Sequence, residues 1–198
     1  MQCKLFVRIQ FSILVFILIG CATDRTAPPM VDGNCEDYER LGVVPIQIHD
    51  AVNLYFYQDE HYVWIGFDYP EGSYGTMDLK LKTPTLEETV NLHVSAQIGE
   101  WLADQPETAP DTPESDQWWN NTGWIANPVW INGTDTTGGQ RRYKFKNAGA
   151  RELQLARERF GDGNWELQLQ IRAIRQEDGT FTSVLFPADS SMFVYTVK

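Results

Sequence analysis

Polar and apolar residues alternate with a period of two along most of this chain. The clearest run is residues 51–68, AVNLYFYQDEHYVWIGFD, in which Val52, Leu54 and Phe56 alternate with Asn53, Tyr55 and Tyr57, and Val63, Ile65 and Phe67 alternate with Tyr62, Trp64 and Gly66. Successive side chains on a strand point to opposite faces, so this spacing predicts two strands, each with an aliphatic wall and an opposite polar-aromatic face. Gln58, Asp59 and Glu60 between them are too polar for a core and read as the turn of a hairpin. The same period returns where Met77, Leu79 and Leu81 alternate with Asp78, Lys80 and Lys82, and where Val90, Leu92, Val94 and Ala96 alternate with Asn91, His93, Ser95 and Gln97. It returns again in Trp165, Leu167, Leu169, Ile171 and Ala173 against Glu166, Gln168, Gln170 and Arg172. Asp178-Gly179 is a hairpin turn signal, and residues 181–186 and 192–197 close the pattern.

Two stretches are ambiguous. Residues 86–88 read as a brief helical turn or a plain connection, and residues 151–158 as a strand or a short helix, the alternation of Leu153 and Leu155 favouring a strand. No segment sustains a helical stripe, and strands do not alternate with helices. The expected fold is therefore all-β, a single antiparallel β-sandwich of jelly-roll type over residues 31–198.

The N-terminal residues follow a different pattern. Lys4 and Arg8 precede the short apolar run FSILVFILI, and Leu18-Ile19-Gly20-Cys21 ends it with a small residue directly before a cysteine. The run is shorter than the ~20 residues that span a bilayer comfortably, and the sequence matches a bacterial lipobox. This reading makes residues 1–20 a cleaved signal peptide and Cys21 the lipidated first residue of the mature protein, with 21–30 as a tether. Acyl chains on Cys21 would anchor the domain to a membrane, each buried CH₂ contributing ~0.8 kcal/mol. Ala22, in place of the Asp that retains lipoproteins at the inner membrane, points to the outer membrane, facing the periplasm or the cell surface.

Charge narrows the partners. The leader takes two basic residues and no acidic one with it, so the formal charge moves from −11 to −13. Such a surface repels nucleic acid. Once Cys3 leaves and Cys21 is lipidated, Cys35 has no partner for an intramolecular disulfide and too few companions for a cysteine metal site; it reads as an inert thiol. There is no phosphate-binding glycine loop, no nucleophile elbow and no histidine pair at metal spacing. No catalytic residue is assigned and no cofactor is expected; the many carboxylates leave a glycosidase pair as a minor alternative, with no spacing that selects one pair. The carboxylates make calcium conceivable without forming a calcium-loop motif.

The candidate chemistry is aromatic. Residues 104–116 hold three prolines, five acidic residues and no apolar side chain larger than alanine, which predicts an exposed excursion. It ends in residues 117–130, which hold four of the seven tryptophans beside several amides. Sugar rings lay their C–H faces on aromatic plates while their hydroxyls take hydrogen bonds from amides and charged groups. Trp118, Trp119, Asn120, Asn121 and Trp124, with Arg142, are the expected ligand-binding set, although tryptophans equally serve as core anchors. Tyr55, Tyr57, Tyr62 and Trp64 of the hairpin, with Gln168, Gln170 and Arg172, make a supporting face if their strands are neighbours.

The order Val31-Asp32-Gly33, then a strand, then Asp59 before Tyr62-Val63-Trp64-Ile65-Gly66-Phe67-Asp68-Tyr69-Pro70, then Asp78-Leu79-Lys80-Leu81, resembles the start of family 9 carbohydrate-binding modules and the wider DOMON-like β-sandwiches. Asn164-Trp165-Glu166-Leu167 resembles a later strand of that fold. The resemblance implies a sandwich of about eleven strands with an aromatic-lined ligand face. It also implies a minor haem-binding alternative, for which Met77 or Met192 with His93 would be the ligands. The expectation is a non-catalytic carbohydrate-binding lipoprotein, with docking of an envelope protein partner as the rival function.

Overall fold

The computed structural model describes residues 27–139, 142–146 and 148–198. The signal peptide, the lipobox with Cys21 and most of the tether lie outside the described residues, as does the Arg142 side chain. A short helix α1 (Glu36–Arg40) precedes strands β1 (Ile46–His49), β2 (Val52–Gln58), β3 (Tyr62–Asp68), β4 (Thr76–Lys82), β5 (Val90–Val94) and β6 (Ile98–Leu102). Then come β7 (Trp124–Ala126), β8 (Trp130–Asp135), β9 (Arg142–Lys146), β10 (Ala150–Ala156), the single-turn helix α2 (Arg157–Phe160), β11 (Gly163–Arg175), β12 (Phe181–Phe186) and β13 (Phe193–Val197).

The strands form two sheets packed face to face. The first has the order β1-β2-β3-β10-β7; the second has β12-β11-β4-β5-β6, with β13 beside the first half of β11 where β12 lies beside the second. β8 and β9 pair separately as a ribbon, and every paired neighbour is antiparallel. The aliphatic halves of the alternating runs meet between the sheets: Val52, Leu54, Val63, Ile65 and Phe67 from one side, Met77, Leu79, Leu81, Leu92, Leu167 and Leu169 from the other. Burying each such side chain stabilises the fold by about 1.5–3 kcal/mol over leaving it exposed. The all-β sandwich expected from the period is the fold observed.

Three local differences have physical causes. β6 breaks the alternation because Gly99 and Glu100 occupy its middle, yet it pairs along its whole length with β5. Residues 151–158 are divided, the strand ending at Ala156 and one helical turn following it. Residues 86–88 are a plain connection.

A larger difference concerns the hairpin's outer face. The segment from Val31 to Val43, including α1, folds over it, and Cys35 and Tyr38 pack against Tyr55, Trp64 and Ala150 in a second, smaller core. Tyr55 is 2% and Trp64 1% exposed, Tyr57 is half-buried, and Tyr62 is at the rim. The covering is possible because Gly66 has no side chain; a Cβ there would stand 3.0 Å from the Tyr38 ring. Glu152 on β10 reaches up into this joint, where its Oε2 accepts hydrogen bonds from the backbone N–H groups of Asp32 (3.0 Å), Gly33 (2.7 Å) and Asn34 (3.3 Å). Burial, reinforced by the nearby Glu152 charge, pushes the Cys35 thiol far above its ordinary range, as an inert thiol requires.

Candidate functional site

The outer face of the second sheet is built differently. Strand register sets two rows of outward side chains across it. One row runs Gln168, Lys80, Asn91, Trp101 through β11, β4, β5 and β6; the next runs Gln170, Asp78, His93, Gly99 through the same strands, with Leu185 of β12 beside Gln170. Arg172 follows on β11. On β4, β5 and β11 these positions are the polar halves of runs whose apolar halves fill the core, so the alternation that folds the sheet also assembles most of the face. Asp78, Lys80, Asn91, Trp101, Gln168, Gln170, Arg172 and Leu185, with Ala103 and Pro106 at one wall, line a cleft of about 460 Å³.

Asp78 is the hub of this face. Its Oδ1 accepts hydrogen bonds from Asn91 Nδ2 at 3.0 Å and His93 Nδ1 at 2.8 Å, and the Arg172 guanidinium ion-pairs with its Oδ2. A carboxylate only accepts, so the proton of neutral His93 is assigned to Nδ1, and Nε2 keeps its lone pair. Burial pushes the imidazole down to about 4, and Asp78, already paired with Arg172, does not offset it. His93 is thus a neutral ring held beneath the face by Asp78.

Two tryptophans flank that histidine. The rings of Trp101 and Trp118 each lie 5.5 Å from the His93 ring, centroid to centroid. Gly99 makes room for Trp118, since a Cβ on it would stand 2.7 Å from that ring. The excursion holds Trp118 from the other side: its indole Nε1 donates to the Thr112 carbonyl at 2.8 Å, and Gln97 Nε2 donates to the Pro113 carbonyl at 2.9 Å. The acidic stretch is therefore an exposed loop, as expected, tied at Thr112 to Trp118 and at Pro113 to Gln97, which precedes β6.

The sequence-selected tryptophans separate. Trp124 is 3% exposed, and its indole N–H bonds Glu100, which also holds Arg159, so it is a core anchor. Trp118 is half-buried beside His93. Trp119 is 53% exposed on a left-handed backbone (φ 67°), its N–H bonding the Ile98 carbonyl at the sheet edge. Asn120 is exposed, while Asn121 donates to the Trp124 carbonyl and so braces the loop. The supporting set divides as well: Gln168, Gln170 and Arg172 belong to the cleft, whereas Tyr55, Tyr57 and Trp64 lie on the opposite side of the sandwich. Their strands are not neighbours.

Sequence reasoning passed over Trp101, Asp78, Asn91 and Lys80 as site residues. Trp101 was hidden because β6 lacks alternation. The other three carried a signal in the polar positions of two adjacent strands, whose register makes them meet.

Met77 faces the core and His93 the outer surface from the neighbouring strand, so one haem iron cannot take both. Met192 precedes β13, three strand spacings or ~14 Å from β5. Among the described residues no three His, Cys, Asp or Glu side chains stand close enough to hold a metal ion, and no helix is long and apolar enough to cross a membrane.

Comparison of the chain with family models, with curated proteins and with solved structures found no match to any of them.

Proposed function

We propose that this chain is a non-catalytic carbohydrate-binding lipoprotein whose ligand lies across the outer face of the second sheet. The observation that carries the reading is the juxtaposition of Trp101 with Asn91, Gln168, Gln170 and the Asp78 hub in one cleft. An aromatic plate beside side-chain amides and a fixed acceptor suits a sugar ring, whose faces are apolar and whose edges are hydroxylated. Hydrolysis would need a second carboxylate across the scissile bond, and Asp78 is the one carboxylate in the described lining. The family resemblance points the same way, toward a family 9-like or DOMON-like module.

Trp101 is the residue to test. In a glycan array followed by titration calorimetry, Trp101→Ala is expected to weaken binding by about tenfold or more, equivalent to ~1.4 kcal/mol, with the folded state retained. An array with no binder, or equal affinity in the variant, overturns the reading. A stoichiometric envelope protein recovered by cross-linking, with no sugar dependence, replaces it with the docking function. The lipid anchor at the outer membrane belongs to the same proposal: Cys21→Ser should move the protein from the membrane to the soluble fraction.

A further inference from the structure

The cleft has the opposite charge sign from the chain that carries it. The whole sequence has a formal charge of −11, yet the cleft lining holds two cations, Lys80 and Arg172, against the single anion Asp78. Lys80 is exposed and makes no hydrogen bond or ion pair among the described residues. Arg172 has a side chain 46% exposed and leans on Asp78 with one nitrogen, leaving other N–H donors of its fork to face outward. By contrast, the neighbouring Lys82 is engaged, its Nζ donating to the Leu86 carbonyl at 2.7 Å and the Glu87 carbonyl at 2.6 Å.

Resting on the carbohydrate reading, we infer that the glycan is acidic and that its anionic group, a uronate carboxylate or a sulfate ester, is held between Lys80 and Arg172 over the Asp78–Gln170 row. Arg172 already reaches that row through its contact with Asp78, and Lys80 stands two residues along β4, ~7 Å away, within reach of its long side chain. Neutral hydroxyls alone would not call for two cations above a row that supplies acceptors and amides. The acidic excursion bounds the other end: Pro106 forms the cleft wall, with Asp104 and Glu107 beside it. A polyanion is repelled there, so the charged group lies on the β4–β11 side and an uncharged ring face lies on Trp101, two strand spacings or ~10 Å from Lys80.

The experiment is titration calorimetry of the mature domain with polygalacturonate, a sulfated galactan and a neutral galactan, at low ionic strength and at about 0.5 M salt. One acidic polymer is expected to bind about tenfold or more tighter than the neutral one, the better of the two identifying carboxylate or sulfate, and the preference should shrink in salt. Lys80→Gln, at an exposed position, should remove most of the preference while leaving the melting temperature unchanged. Arg172→Lys should weaken it further, because the ammonium lacks the planar fork. Neutral galactan binding as tightly as the acidic polymers, with Lys80→Gln equal to the parent, overturns this inference and leaves the carbohydrate reading intact. Absence of binding to all three overturns it together with that reading.

Discussion

The two outer faces of the sandwich arise from the same alternation of polar and aromatic residues and end in opposite states. On the first sheet, the carboxylate of Glu152 is held by three consecutive backbone N–H groups, and a segment of chain covers the aromatic side chains around it. On the second sheet, the carboxylate of Asp78 is held by the side chains of Asn91, His93 and Arg172, and a cleft stands over it. Backbone donors commit a whole segment, since moving them means unfolding it. Side-chain donors can turn to a ligand while the sheet stays put. The identity of the donors separates a joint from a site where the residue types alone do not.

The largest expected effect breaks this comparison if it is wrong. Tyr38 is fully buried over the hairpin, and Tyr38→Ala should cost about 3–5 kcal/mol of unfolding free energy, measured by urea denaturation. Trp101 is half-buried on the second face, and Trp101→Ala should cost under about 1 kcal/mol, in the range of surface substitutions, while weakening glycan binding about tenfold or more. Comparable losses of stability in the two variants would make the second face another packing surface.

Acid should act on the two faces with opposite sign. Burial raises Glu152 from 4.5 to about 7 despite the amides that favour its charge. Between those pH values the folded state keeps a proton that the unfolded state has lost, so this stabilisation is full below pH 4.5 and is lost as pH rises through 7, a change of about 3 kcal/mol. His93 is lowered from 6.5 to about 4, so the unfolded state takes up a proton that the folded state refuses. Its contribution is full above pH 6.5 and falls by about 3 kcal/mol as pH drops through 4. Between pH 4.5 and 6.5 the two slopes cancel. Denaturation midpoints of the parent should be nearly flat there, rising with pH in Glu152→Gln and falling with pH in His93→Gln. A flat profile in both variants would show that neither buried group titrates as its surroundings require.

Much of this architecture was legible in the residues because period two reports which side of a strand faces the core. The hairpin, β4, β5 and β11 placed their aliphatic sets correctly except at two ends: Ala96 lies exposed past β5, and a bulge in β11 gives the core position expected of Ala173 to Ile174. What alternation does not encode is the fate of the other face. Tyr55 and Trp64 look as available as Gln168 and Arg172 until Val31 to Val43 is seen lying over them, a contact between residues far apart in the chain. Nor does composition tell a plate from an anchor: Trp124 is buried with its indole N–H on the Glu100 carboxylate, and Trp119 is exposed on a left-handed backbone. Trp101 escaped notice for the reason that makes it usable. It sits on a strand with glycine and glutamate at its centre, which erases the periodic signal and also clears the space in which the indoles pack.

That clearing gives the smallest and sharpest test, because each face depends on one glycine beneath one aromatic ring. A Cβ on Gly66 would stand 3.0 Å from Tyr38, and one on Gly99 would stand 2.7 Å from Trp118 and 3.2 Å from Trp101. Alanine at either position forces its ring to shift, an overpacking cost of about 1–3 kcal/mol. The consequences should divide by face. Gly66→Ala lifts Tyr38 and loosens the N-terminal joint, so the melting temperature falls and glycan affinity holds. Gly99→Ala displaces the indoles on either side of His93, so glycan affinity falls at least as clearly as stability, with a change in tryptophan fluorescence. If Gly66→Ala weakens binding as much as Gly99→Ala, the two faces are coupled through the core between them, and the division into joint and site no longer describes the molecule.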